Sequence, residues 1–315
     1  MTTEASKTNP GGWAAFREEF QACWRAWPDK GLFFLLLAAW VALFHFWGNP
    51  VLGYMQTRTA SLFEWLYFVY ATSVDDEHGQ LVPFVVLGLF WWKRKQLLAL
   101  EKAVWWPALG LVMAGLAGHA VGFVVQQQRI SLVGFLVGLY GLTGLVWGRG
   151  WLRASLFPFF IFGFSVPISA LSETVTSPLR IFSTWLTVGV AQVLGVDVIR
   201  AGSQIYDASR TYLYDVAPAC SGIRSIISLV AVTTIYGFMH FQRPWQRAVM
   251  VGLALPLALA GNVARLTAVI LTAEVFGQEA GIWVEQKLGV VTFVVAVVAV
   301  FLFGRWLQRR TEVRP

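Results

Sequence analysis

One cysteine in the chain has the surroundings of a nucleophile. Cys220 stands in Ala219-Cys220-Ser221-Gly222, a loop-forming stretch that an apolar helix follows directly. Free backbone N–H groups and the helix dipole at such a helix start favour a thiolate. Arg224, four residues on, lies over the same helix face and adds positive charge. The pattern is typical of a catalytic thiol; the competing interpretation is a structural cysteine, because free cysteine is among the most buried residue types.

A second charged group lies inside a predicted membrane span. Asn262 and Arg265 occur in an apolar run that begins near Ala248. A charged side chain in a span is energetically costly and by default marks a functional site. An arginine near the end of a span can also extend to the lipid headgroups. At the depth of Cys220, its guanidinium would favour the thiolate or stabilise the oxyanion of an acyl-transfer intermediate.

Three further polar residues have side chains suited to proton transfer or nucleophilic attack. Glu285 opens the last predicted span and has the chemistry of a general base, although polar residues there also serve as interfacial anchors. His78 follows three acidic residues in a loop predicted on the outer side, where a structural role competes with a functional one. Ser221 would be the nucleophile of an intramembrane serine protease, but no histidine lies on a nearby span to activate it.

The composition is that of a membrane protein. The 315 residues are 57% hydrophobic and only 13% charged, whereas a soluble domain is about a quarter charged. Two cysteines, Cys23 and Cys220, are too few for a disulfide framework and fit no metal-ligand spacing. The formal net charge of +7 is explained by basic cytoplasmic loops. We therefore expect membrane lipids as partners and no nucleic acid.

Eight apolar runs are predicted to cross the membrane. They cover roughly residues 31–47, 81–92, 105–125, 130–147, 154–170, 223–241, 248–275 and 288–303. Residues 1–30 carry aromatic side chains at helical spacing, which predicts a cytoplasmic helix in the membrane interface or packed on the bundle. Residues 305–315 form a basic cytoplasmic tail. With both termini inside, most of the 24 lysines and arginines fall on the cytoplasmic side.

Residues 172–218 do not fit a simple span count. Their first half, around 179–194, is apolar enough for a helix, and 196–216 has the pattern of a small β-hairpin. Unpaired strand edges are not tolerated against lipid. The sequence therefore predicts an all-α integral membrane protein whose single membrane domain, residues 31–304, holds about eight transmembrane helices and a small extracytoplasmic helix plus β-hairpin insertion.

At four places the chain resembles the exosortase/archaeosortase family. The matching segments are Glu77-His78-Gly79 with Pro83, Ala219-Cys220-Ser221-Gly222-Ile223-Arg224, Asn262-Val263-Ala264-Arg265, and Glu285 with Gly289 and Phe293. The cysteine segment is the most specific of them. The last segment departs from the family pattern, because many members have His, and archaeal relatives Arg, where this chain has Glu285.

The resemblance implies a membrane cysteine protease and transpeptidase of the cell inner membrane, with its active site on the outer side. Its substrate would be an exported protein whose C-terminus carries a Pro-Glu-Pro-like motif, an apolar helix and a basic tail. Cys220 would form a thioester, Arg265 would stabilise developing charge, and Glu285 would hold the third catalytic position. Arg224, Arg200 or Arg210 would meet the acid of the motif, and a glycan or lipid acceptor would release the product. The resemblance implies no metal or organic cofactor.

Two other classes fit part of the sequence. A transporter for an anionic solute would also use a buried arginine, but it predicts interrupted helices in both halves, and only one such region is present. A non-catalytic scaffold leaves the grouping of Cys220, Arg224 and Arg265 unexplained.

Overall fold

The chain is described by a computed structural model that covers residues 12–48, 60–73, 75–207, 213–215 and 223–312. Cys220, Ser221 and Arg210, three of the residues predicted for the site, lie outside the described residues. The helices are α1 Gly12–Ala26, α2 Lys30–Phe46, α3 Leu62–Thr72, α4 Val82–Leu98, α5 Leu109–Val124, α6 Gln128–Trp147, α7 Arg149–Phe162, α8 Ser169–Val193, α9 Ile223–His240, α10 Pro244–Phe276 and α11 Gln278–Glu312. The strands are β1 Val198–Ala201, β2 Gln204–Asp207 and β3 Leu213–Asp215.

The fold is all-α and that of a membrane protein, but it does not confirm eight spans. Among the described residues, four helices are long and apolar enough to cross a membrane: α5 with the short turn before it, α6, α10 and α11. A fifth span results if the bent pair α1 and α2 is counted as one. Helix α7 has 14 residues, fewer than the roughly 20 that a membrane crossing needs.

The predicted span over 154–170 is interrupted in the structure. Helix α7 ends at Phe162, a 3-10 turn covers Gly163–Ser165, and α8 begins at Ser169. The residue before a proline avoids the helical conformation, and Val166 has the extended angles expected before Pro167. The apolar run therefore belongs to two helices.

The chain forms two compact units, residues 1–68 with 81–166, and residues 69–80 with 167–315. In the first unit α5 and α6 approach closely, because a Cβ atom on Gly115 would lie 2.6 Å from the carbonyl oxygen of Gly134. Small residues allow such close helix packing in membranes. In the second unit α9, α10 and α11 enclose an apolar core that includes Leu229, Met250 and Val300, each fully buried.

Residues 196–216, where the sequence predicts a hairpin, hold a three-stranded antiparallel sheet in the order β1-β2-β3. Val198 is opposite Asp207, and Ile205 is opposite Tyr214. Gly202 has a φ of +64° in the two-residue turn between β1 and β2, as tight hairpins require. The buried side chains of Val198 and Ile205 pack with Ile270 of α10, which joins the sheet to the helices of the same unit.

Candidate functional site

The predicted nucleophile is in the segment that leads into α9. Helix α9 begins at Ile223, three residues after Cys220. Its first turn carries Arg224 and Ser225, and these neighbours face different surroundings. Ser225 lines a small cavity together with residues of α10 and α11, whereas Arg224 pairs with Glu77 in the loop before α4. The first turn of α9 therefore contacts the cavity through Ser225 and the acidic loop through Arg224.

Arg265 is buried in the middle of α10 with only part of its hydrogen-bonding capacity used. Its side chain is 8% exposed, and its Nη2 donates to Oδ1 of Asn262 at 3.0 Å. Residues three apart on a helix lie on the same face, so this contact follows from the Asn-x-x-Arg spacing. The Nε of Arg265 is buried and has no hydrogen-bond partner among the described residues. A buried N–H without an acceptor is costly.

Helix α11 brings a glycine against the arginine. A Cβ atom built on Gly289 would lie 3.4 Å from Nη1 of Arg265, so the guanidinium lies over the backbone at this position. Glu285 is four residues earlier on α11 and therefore on the same face, one turn away. Because α11 begins at Gln278, Glu285 lies two turns inside the helix. Its side chain is half-buried.

A cavity of about 10 Å³ lies at the meeting point of the three helices. It is lined by Ser225 of α9, Asn262 and Arg265 of α10, and Thr292 of α11, together with apolar side chains. This volume holds about one water molecule. The arginine, its asparagine partner and the first turn of the helix that follows Cys220 thus share one small polar space in an otherwise apolar core.

Arg224 does not line this cavity. Its Nη1 donates to Oε1 of Glu77 at 2.7 Å, and the two side chains are 34% and 54% exposed. No partner for Arg224 inside the chain was predicted from the sequence. Two features of the sequence could have indicated the Arg224–Glu77 pair. Arg224 has no acidic residue near it on its own helix, and residues 75–77, just before His78, are all acidic. The two arginines of the predicted site therefore have different partners and different exposure.

The loop that supplies Glu77 is held by two contacts within its own unit. Asp76 is 1% exposed, and its Oδ1 accepts a hydrogen bond from the backbone N–H of Ile168 at 2.8 Å. Gly79 lies under Tyr70, because a Cβ atom there would come within 2.4 Å of the tyrosine ring. Gly79, the residue after His78, therefore allows the loop to pack closely against Tyr70.

His78 and Asp75 complete the polar face of this loop. Nδ1 of His78 lies 2.9 Å from the carbonyl oxygen of Asp75. A carbonyl oxygen only accepts hydrogen bonds, so Nδ1 of His78 is the donor and carries the proton. In the neutral ring, Nε2 is then a hydrogen-bond acceptor. Burial raises the pKa of Asp75 above its ordinary value, and Asp76 raises it further, while Arg224 and His78 oppose the shift. The pKa of Asp75 is therefore set by its burial and by three charged or polar neighbours.

The chain was compared with known protein families, and the matching region contains the residues described above. A family model of transmembrane exosortases matches residues 65–302. The chain belongs to the transmembrane exosortase family. Neither a curated protein nor a solved structure matches this exosortase. The matched region begins in α3 and includes α4 to α10 and most of α11, so α1 and α2 precede it.

The structure of the exosortase brings together some of the predicted site residues and leaves others apart. Arg265 and Asn262 share the small cavity, and Glu285 lies on the α11 face that the arginine contacts. Arg224 and His78 belong to a second cluster around the acidic loop. In the part of the chain that the structure describes, no three His, Cys, Asp or Glu side chains converge as metal ligands would.

Sequence reasoning named Glu77 and Gly289 without their contacts and missed Thr292. Glu77 is the partner of Arg224, Gly289 is the contact of Arg265, and Thr292 lines the cavity. The spacing of Glu285, Gly289 and Thr292 along one helix face was the available signal for the last two.

Proposed function

We propose that this exosortase is a membrane-embedded cysteine transpeptidase that cleaves the C-terminal sorting signals of exported proteins. The observation that carries the proposal is the buried Arg265, whose Nε has no partner among the described residues. It lines a water-sized cavity together with Ser225, in the first turn of the helix that follows Cys220. A desolvated guanidinium beside a nucleophile is suited to stabilise an oxyanion.

The proposed reaction uses Cys220 twice. Its thiolate attacks the carbonyl carbon of the scissile peptide, and the carbonyl oxygen becomes an oxyanion that accepts hydrogen bonds from Arg265. The intermediate collapses to a thioester as the C–N bond breaks, and the leaving amine takes up the proton that the thiol released. A hydroxyl or amine of a glycan or lipid acceptor then attacks the thioester, the C–S bond breaks, and the proton that the acceptor loses returns to the sulfur, which restores the Cys220 thiol.

Glu285 is the proposed carrier of the proton between thiol and leaving amine. It lies one helical turn from Gly289, the contact of Arg265. A carboxylate at that position can take the thiol proton and return it to the amine. The same charge would also hold the guanidinium in place, so we assign Glu285 a positioning role as well as a proton-transfer role.

Arg224 is the proposed binding group for the acidic residue of the sorting signal. It is partly exposed and already holds a carboxylate, that of Glu77, at 2.7 Å. The carboxylate of an arriving signal can replace Glu77 in this contact without any new charge being buried. Arg265 is less suited to this role, because it is 8% exposed and its cavity admits about one water.

Co-expression with a reporter substrate tests the proposal. The reporter ends in a Pro-Glu-Pro motif, an apolar helix and a basic tail, and its processing is followed by gel shift. We expect cleavage with the natural chain and none with Cys220→Ala, Cys220→Ser or Arg265→Ala, while Glu285→Ala retains a residual rate. Cleavage that survives Cys220→Ala would overturn the thiol mechanism. A transporter or scaffold would cleave no reporter and would keep its activity in Cys220→Ser.

A further inference from the structure

One end of the core formed by α9, α10 and α11 carries four arginines from two helices, all within the second unit. Arg243 and Arg247 are four residues apart at the start of α10, and Arg305 and Arg309 are four apart near the end of α11. Residues four apart lie on the same helix face, and like charges there repel each other. Each helix therefore holds two positive charges side by side, an arrangement that costs stability in the isolated chain.

The C-terminal end of α9 brings the two pairs to the same place. Nε of Arg247 donates to the carbonyl oxygen of Phe241, directly after α9, at 2.9 Å. In the preceding turn the ring of Tyr236 lies so close to Gly304 of α11 that a Cβ atom there would overlap it. Arg305 is near enough for its charge to act on the Tyr236 hydroxyl. The arginines of α10 and those of α11 therefore border the same end of α9.

The positive charge of these arginines is not neutralised within the part of the chain that the structure describes. Arg243, Arg305 and Arg309 are exposed, and none of the four arginines forms an ion pair with a described carboxylate. Trp245 and Trp306 are exposed beside them, and tryptophan is enriched at the level of the lipid headgroups. Since α10 and α11 are both long and apolar enough to cross a membrane, the arginines lie where these helices reach the headgroups.

We propose that the four arginines bind the phosphate group of an anionic membrane phospholipid. Guanidinium groups bind phosphate oxygens through paired, charge-assisted hydrogen bonds, and basic clusters between the ends of membrane helices are suited to anionic headgroups. A bound phosphate would offset the repulsion within each pair and link the end of α10 to that of α11. A soluble anion is a poorer fit, because the exposed tryptophans and the apolar helices place the cluster at the headgroup level.

This lipid site is separate from the proposed reaction site. Arg265 also lies on α10, but it is about five helical turns from Arg247. Its guanidinium is buried and bound to Asn262, whereas the cluster at the other end of the helix is exposed. The proposal therefore stands or falls independently of the transpeptidase reaction.

Arg243→Gln combined with Arg305→Gln removes one charge from each pair and leaves the backbone contact of Arg247 in place. Because each substitution relieves a like-charge contact, the double variant should retain or raise the melting temperature. Arg149 and Arg153 of α7 provide a matched control. They are also exposed and four residues apart on a helix, but they belong to the first unit.

The test measures lipid binding to the full chain in detergent by native mass spectrometry. Dimyristoyl phosphatidylglycerol is compared with dimyristoyl phosphatidylcholine, which has the same acyl chains but no net charge. We expect the natural chain to bind phosphatidylglycerol at least tenfold more tightly than phosphatidylcholine. The Arg243→Gln/Arg305→Gln chain should lose most of this preference, while Arg149→Gln/Arg153→Gln should stay within twofold of natural. Equal binding of phosphatidylglycerol by the natural chain and the first variant would overturn the proposal, as would an equal loss in the control.

Two further arms use the natural chain alone, so they do not depend on the folding of any variant. A rise in ammonium acetate from about 50 to about 500 mM should weaken phosphatidylglycerol binding severalfold, because salt screens exposed charges. A preference that salt leaves unchanged would contradict binding by the arginines. Inorganic phosphate in tenfold excess over the lipid should leave phosphatidylglycerol bound; its displacement would assign the cluster to a soluble anion and overturn the lipid proposal.

Discussion

Asn262 accepts a hydrogen bond from Nη2 of Arg265 at 3.0 Å, across one turn of α10. The contact fixes one edge of a buried guanidinium and leaves Nε without a partner among the described residues. A guanidinium has five N–H donors in a rigid fork, so an orientation held at one edge directs the others. The Asn-x-x-Arg spacing thus orients the arginine side chain toward the small cavity that it lines together with Ser225.

Asn262→Ala should slow processing of a sorting-signal reporter about tenfold with little change in KM. The variant leaves the arginine in place but removes the acceptor that orients it. Arg265→Lys should be more severe, on the order of a hundredfold, because removal of one oxyanion donor lowers kcat by roughly 10²–10³. Steady-state kinetics on a purified reporter measure both. An Asn262→Ala enzyme with natural kcat would show that the asparagine does not orient the catalytic arginine.

Gly289→Leu should lower processing at least tenfold while the protein stays folded. Even a Cβ atom at this position would lie 3.4 Å from Nη1 of Arg265, and the rest of a leucine side chain must displace the guanidinium. The reporter assay measures the activity, and a thermal melt measures the fold.

Gly252→Leu is the control for this substitution. Gly252 lies within α10, a helix of similar length to the α11 that carries Gly289, and it is exposed with open space around its Cβ position. Its replacement should leave processing within twofold of natural. A loss of activity that is equal in both variants would mean that leucine in these long helices is harmful in itself.

Glu77→Gln should leave the melting temperature nearly unchanged and lower KM for the sorting signal severalfold. Exposed ion pairs contribute about 0–1 kcal/mol, and both side chains of this pair are at least a third exposed. Loss of the Glu77 carboxylate frees Arg224 for the acid of the signal. Arg224→Gln should raise KM instead. If the two variants raise KM equally, the pair only holds the loop and does not bind substrate.

Asp75→Asn should raise the melting temperature at pH 7, and the gain should shrink as the pH approaches 4. Burial, and next the carboxylate of Asp76, raise the pKa of Asp75 above its ordinary value of 3.8. A raised pKa means that folding favours the protonated form, so stability is lost as the pH rises from about 3.8 through the folded pKa. Asparagine removes that loss.

Thermal melts at several pH values check the Asp75 prediction. Asp197→Asn, on the exposed end of the segment before β1, controls for the removal of one negative charge. A gain for Asp75→Asn that is the same at pH 4 and pH 7 would contradict the electrostatic origin assigned to it.

The pairing of Asn262 with Arg265 could be predicted from the sequence, because the contact is local. Asn262 and Arg265 are three apart on one helix, and a charged residue in an apolar run is conspicuous. The helix start after Cys220 was marked by Ser221 and Gly222, and α9 begins at Ile223 as the apolar pattern predicts. Family membership was also visible in these motifs, and the match over residues 65–302 confirms it.

Contacts between segments that are distant in the chain could not be predicted from the sequence. Glu77 and Arg224 are 147 residues apart, and nothing in either local sequence names the other. The division of the 154–170 run was missed because hydropathy does not register a turn made of apolar residues, although Pro167 marks it. The predicted number of eight spans is not confirmed, because among the described residues several apolar runs do not coincide with helices of crossing length.

A thioester on Cys220 is the most direct test of the central claim. The natural chain and the Cys220→Ser variant are incubated in membranes with the reporter and no acceptor, quenched in acid and analysed by intact mass and peptide mapping. We predict a covalent adduct of the reporter's cleaved fragment on the Cys220 peptide of the natural chain, removed by neutral hydroxylamine, and greatly reduced in Arg265→Ala. Reporter cleavage without any adduct on that peptide, or an adduct elsewhere in the chain, would contradict the account.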